Sequence, residues 1–110
     1  MQYALLIYVD PEATADYSDE ARQALTAEYM DIRADARVVG GASLRPAETA
    51  TTLRLADAKP LITDGPFSDT KEVFGGFFMV DADNLDAALE IAHRVPAVRM
   101  GGVVEIRPLV

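Results

Sequence analysis

Cysteine and tryptophan are absent from this sequence, and histidine occurs once, at His93. The lack of cysteine excludes disulfides, thiolate zinc sites, iron-sulfur clusters and thiol nucleophiles together, so the interior has to hold by packing alone. Basic residues are scarce: 10 Lys and Arg against 18 Asp and Glu leave a formal charge of -8. That balance excludes a general attraction to phosphate backbones or anionic lipid, and no direct nucleic-acid contact is expected. Long apolar runs are missing as well. The stretch from Met1 to Val9 is short, has no basic leader and meets an acid at Asp10. It reads as neither a signal peptide nor a membrane span, and a cytoplasmic location is the default expectation.

What remains is an ordinary globular balance, half apolar and a quarter charged, over 110 residues. One domain, 1–110, is expected, with a real core but modest stability. Tyr3 to Val9 is apolar without helical spacing and reads as a strand covered on both faces. Ser18 is a good N-cap, with Asp19 and Glu20 where a helix dipole favours negative charge. The helix it starts runs to about Ala36, with Ala21, Leu25, Tyr29, Ile32 and Ala36 as a buried stripe and Arg22, Thr26 and Arg33 opposite. A weak extended segment, Gly41 to Arg45, is closed by Pro46.

Ala50 to Leu55 alternates and is rich in threonine, as a strand should be; Asp57-Ala58-Lys59 is a turn, and Pro60 to Thr63 pairs back. Asp64-Gly65-Pro66-Phe67 then fixes a bend. Val73 to Val80 is the clearest strand and should be central, its double glycine Gly75-Gly76 predicting a bulge or a close backbone approach. Asp83 is the expected cap of the second helix, with Asp86 completing a capping box, Leu85, Ala88, Leu89, Ala92 and Val95 as its stripe, and Pro96 as its end. Val103 to Arg107 alternates up to Pro108.

This order predicts an α+β fold of ferredoxin-like βαββαβ plan with an added β-hairpin. Such a sheet carries both helices on one face. Yet Tyr3, Leu5, Ile7 and Val9 alternate with the equally apolar Ala4, Leu6 and Tyr8, and Phe77 and Met79 oppose Phe78 and Val80. At roughly 25 cal/mol per Å², a bare second face would forfeit several kcal/mol. A homodimer packed sheet against sheet, a dimeric α+β barrel, is the expected solution.

Asp64-Gly65-Pro66-Phe67, Thr70-Lys71-Glu72, Gly75-Gly76-Phe77, the Asp86-Ala87 helix, Pro96 and Glu105-Ile106-Arg107-Pro108 follow in an order and spacing that resembles the YCII-related family, in its DGPF-type branch. Gly41, Leu44, Pro46 and Thr51-Thr52-Leu53-Arg54 extend the likeness over nearly the whole chain. The resemblance implies the dimeric ferredoxin-like fold. It also implies kinship with a dehydrochlorinase acting on an aromatic ring through a histidine and aspartate pair, the histidine lying near the start of the first helix. Here that helix has none, and His93 lies elsewhere. The pair does not transfer, and catalysis is left without support. DGPF-type proteins often stand beside, or are fused to, alternative sigma factors, which implies a regulatory association.

The candidate ligand-binding residues are Asp64, Gly65, Pro66, Phe67, Lys71 and Glu72. Asp64, at a strand end, is a general base or polar anchor on the sharp reading; on the bland one its carboxylate accepts amides beyond the turn. Lys71 and Glu72 suit an anionic or carbonyl-bearing ligand. Adjacent residues of an extended segment point to opposite faces, so an ordinary solvated pair is at least as good a reading. Glu105 and Arg107 share one strand face and read first as an inter-strand or intersubunit ion pair. His93 reads as a surface residue near a helix C-terminus. The acids Asp10, Glu12, Asp16, Asp19 and Glu20 lack the spacing of a calcium loop, and neither metal nor cofactor is expected. Tyr8, Tyr29 and Phe78 read as core before cleft, and Ser18 and Ser43 have no evident base.

Three functions stand at this point. The leading one is a homodimer binding a small molecule in a cleft between sheet and helix, bordered by Asp64 to Glu72. The alternative is a non-catalytic accessory protein contacting a sigma factor, since acidity suits a basic protein partner and not DNA. The third is a structural domain whose activity went with the helix-one histidine.

Overall fold

A computed structural model describes residues 1–110. Six strands and three helices follow in the order β1 (Gln2–Val9), α1 (Asp19–Arg33), β2 (Val38–Ser43), β3 (Thr51–Ala56), β4 (Lys59–Asp64), β5 (Val73–Asp81), α2 (Leu85–His93), α3 (Pro96–Arg99) and β6 (Val103–Pro108). Short 3-10 turns occupy Pro11–Thr14 and Ala47–Thr49. Four strands form one antiparallel sheet in the order β2-β5-β1-β6, an arrangement consistent with a ferredoxin-like plan, while β3 and β4 pair separately. The clearest strand of the sequence, β5, is central as expected, beside β1. No helix is long and apolar enough to cross a membrane.

Alternation sets the core. Tyr3, Leu5 and Ile7 of β1 and Phe78 and Val80 of β5 turn to one face and are buried there with Ile32, Ala88, Ile91, Val95 and Ala97 from the helical layer. The register places Leu5 opposite Phe78 on one side and Ile106 on the other. The bulge announced by Gly75-Gly76 is present: Ile7 faces Gly76 but Tyr8 faces Phe74, so Gly75 is the extra residue. A Cβ on Gly76 would stand 2.6 Å from the Ala42 carbonyl oxygen, which is why β2 can approach so closely.

Several boundaries fall elsewhere than the sequence predicts. Ser18 caps α1, its Oγ accepting the Ala21 N–H at 3.1 Å, but the helix stops at Arg33 and Ala36 is exposed. The Asp35 carboxylate accepts the Arg37 N–H at 2.9 Å and turns the chain there, so β2 starts at Val38 and not Gly41. The cap of α2 is Asn84, accepting the Ala87 N–H at 2.9 Å, and not Asp83 with Asp86. Its buried face is Ala88, Ile91 and Ala92; Leu85 and Leu89 are exposed, because the helix meets the sheet one residue around from the expected stripe. The helix ends at His93, which is exposed, and Pro96 opens α3 at its first turn, where the missing N–H has no partner to lose.

Candidate functional site

Both β1 and β2 run antiparallel to β5 and therefore parallel to each other. Because α1 returns between them in sequence, the C-terminal ends of β1 and β2, the start of β5 and the N-terminal half of α1 gather at one end of the sheet. A cleft of about 770 Å³ opens there between α1 and the sheet. That is within the range of roughly 300–1,000 Å³ typical of small-molecule sites. Its walls are Ile7, Phe78, Leu25 and Tyr29, and its rim carries Asp10, Arg22, Arg45 and Glu48.

Two X-Pro steps, Asp10-Pro11 and Arg45-Pro46, hold the backbone extended where the charged side chains leave the strands. The Asp10 Oδ1 accepts the Glu12 N–H at 3.0 Å, and Lys71 Nζ lies 3.9 Å from its Oδ2. Arg22 donates from Nη2 to the Thr14 carbonyl at 2.8 Å, tying α1 to the 3-10 turn after β1. Tyr29 is half-buried, and burial pushes its phenol above the usual value.

A second cleft of about 760 Å³ lies on the other side of the Leu44–Ala47 segment, with Tyr8, Phe74, Pro66, Phe67 and Glu72 in its lining. The rings of Tyr8 and Phe74 stand 5.5 Å apart at a tilt of 49°. The sequence-derived candidates therefore divide. Pro66, Phe67 and Glu72 border this second cleft, Lys71 reaches Asp10 at the edge of the first, and Asp64 is exposed at the end of β4 opposite Thr51. Gly65 serves the backbone. Its N–H donates to the Ala50 carbonyl at 2.7 Å and its carbonyl accepts the Thr52 Oγ1 hydroxyl at 2.8 Å, at a φ of 93° that favours glycine. Of the three aromatic residues read as core before cleft, Phe78 is buried, and Tyr29 and Tyr8 are half-buried in the first and second cleft.

Sequence reasoning missed Asp10, Arg22 and Arg45 as cleft residues. Arg22 falls on what reads as a solvated helix face, and Arg45 merely ends a weak strand. The two X-Pro steps were the available signal.

Two further surfaces are uncovered. The sheet face opposite the helices carries Ala4, Leu6, Phe77 and Met79, half-buried, with Val39 and Val103 exposed, and Glu105 and Arg107 on its β6 edge. The β3-β4 ribbon is amphipathic: Leu53 pairs with Ile62 and Leu55 with Pro60 on one face, while Thr52, Arg54, Lys59 and Thr63 lie on the other beside Leu61. Leu53, Leu55 and Ile62 are 67%, 71% and 67% exposed.

Compared with known proteins, residues 1–110 match the YCII-related domain over their whole length. An uncharacterized protein of Rhizobium meliloti (strain 1021) is 33% identical over 114 residues, covering 99% of this chain and 92% of the relative.

Proposed function

The chain belongs to the YCII-related family, and from that premise we propose a DGPF-type homodimer that binds a small molecule in the cleft beneath α1. Catalysis is no part of the reading, because no histidine stands on α1 beside the cleft.

The observation that carries the dimer is the surface area. The chain exposes 7678 Å², whereas a compact monomer of its mass exposes about 6,000 Å². The excess of roughly 1,700 Å² is about twice what each partner buries in a standard interface. Only 14 of 110 residues are buried, and the radius of gyration, 15.7 Å, exceeds the roughly 13 Å of a compact domain this long. Two copies meeting by the outer sheet face, with the ribbons reaching across, would bury the apolar residues that a single copy leaves in water.

Sedimentation at micromolar concentration tests the assembly, with a stable single subunit as the result that sinks it. A thermal-shift screen against metabolites and phenolic acids tests the cleft: the expected hit raises the Tm of the wild type and is lost in Leu25→Trp, which fills the cavity. A screen without a stabilising compound counts against the ligand role. Contact with a sigma factor is the second reading. It draws on the resemblance and the acidic surface, and a pull-down from the native host that recovers no transcription component weighs against it.

A further inference from the structure

We infer that the cleft beneath α1 takes an apolar anion, a molecule with a hydrocarbon or aromatic body and one carboxylate-like head group held between Arg22 and Arg45. The inference rests on the reading of this cleft as the binding site.

The chain has 10 basic residues against 18 acidic ones, yet the rim of the cleft matches its two acids, Asp10 and Glu48, with two arginines, Arg22 and Arg45, and Arg33 lies farther along the lining. Asp10 is already engaged by the Glu12 N–H and by Lys71. The net field of the molecule repels anions, so anion selectivity here requires local guanidinium groups, which the exposed Arg22 and Arg45 place at the rim and which act most strongly at low salt. Arg22 is held in place by its bond to the Thr14 carbonyl, with its other N–H groups free of that contact. A guanidinium fixed beforehand loses little freedom on meeting a planar anion.

Arg45 lies two residues past the end of β2, where it borders both this cleft and the second one, and the parallel course of β1 and β2 brings it to the same end of the sheet as the first turns of α1. Arg33 follows Arg22 by 11 residues on the same side of the helix, about 16 Å along its axis, too far to share one head group with it. Between the charged end and Arg33 the lining is mainly apolar: half-buried Leu25 and Tyr29 on α1 lie across from Ile7 and Phe78 of the sheet, with Met30 exposed at the edge and the Thr26 hydroxyl donating to the Arg22 carbonyl. The body of the ligand lies there. The half-buried Tyr29 phenol in the same lining supplies one further donor.

The test uses 4-phenylbutyrate, its neutral analogue 4-phenylbutan-1-ol and the cation 4-phenylbutylamine, titrated into the full chain by calorimetry and by amide chemical shifts. The carboxylate is expected to bind about tenfold or more tighter than the alcohol at low salt, with the amine weakest. Arg22→Gln and Arg45→Gln should each weaken the carboxylate about tenfold and leave the alcohol unchanged. Arg33→Gln should change neither, and Glu48→Gln should tighten the carboxylate. The Arg45 side chain has no partner within the fold to lose, so that variant keeps the test sound even where Arg22→Gln lowers stability. Equal binding of acid and alcohol, with shifts at Leu25 and Tyr29, overturns the anion inference and leaves the cleft standing. Loss of carboxylate binding in Arg33→Gln alone overturns the assignment of the head group. No shift at Leu25 or Tyr29 with any of the three probes overturns both readings.

Discussion

Asp35 ties together parts of the chain that are distant in sequence. Its carboxylate accepts Arg37 Nε at 3.1 Å, Arg37 Nη2 at 2.9 Å and Arg94 Nη1 at 2.9 Å, as well as the Arg37 backbone N–H. The side-chain bond from Arg37, above all, holds the Asp35 carboxyl well below the usual carboxylate range. A carboxyl depressed in the folded state gives stability that is present above the ordinary value near 4 and lost as pH falls below it. Asp35→Asn should therefore cost about 1–2 kcal/mol at neutral pH. It should also remove part of the acid-side loss seen in the parent, read by urea unfolding at pH 7 and pH 3. Gly65 is a second point of this kind. With φ at 93° and nothing within 4 Å of an added Cβ, Gly65→Ala should cost about 1 kcal/mol through backbone conformation alone. A loss several times larger in urea unfolding would show that the site is crowded after all.

At the scale of the element, the β3-β4 ribbon is the unusual piece. A two-stranded ribbon is marginal by itself in water, and the Asp57-Ala58 turn bends it with φ of 51° and 64° at residues that pay for left-handed backbone. Its exposed Leu53, Leu55 and Ile62 give a reason for its persistence if a second copy covers them. The double variant Leu55→Asp/Ile62→Asp replaces side chains that touch solvent in the single chain. It should leave the far-ultraviolet circular dichroism nearly unchanged and shift the assembly toward single subunits by at least tenfold in dissociation constant. Unaltered sedimentation of that variant removes the ribbon from the interface. The α1 element is predictable on simpler grounds: Ser18→Ala should cost about 1 kcal/mol, because the Ala21 N–H loses its acceptor.

For the whole molecule, extents of 45 × 40 × 19 Å describe a slab with one helical side and one bare sheet side. A slab of this thickness has one buried layer, which explains why a chain that is half apolar buries so few residues completely. In the proposed homodimer, dissociation should accompany unfolding. The midpoint of thermal denaturation is expected to rise with protein concentration, as it does when only the associated state hides the apolar face. A midpoint constant over a hundredfold dilution series would contradict this.

Local chemistry was enough to determine much of the chain. Ser18 as a cap, the Gly75-Gly76 bulge, the turn after β3 (read as Asp57-Ala58-Lys59, with Lys59 already in β4) and the alternation of β1 and β5 each depend on neighbours a few residues away, and each is legible in the sequence. Asn84 in place of Asp83, and Ile91 in place of Leu89, were not, because a cap and a buried stripe are chosen by the angle at which α2 meets the sheet. The cleft was legible least of all. Asp10, Arg22 and Arg45 are separated by up to 35 positions, and only the parallel course of β1 and β2 around β5 brings them to one rim.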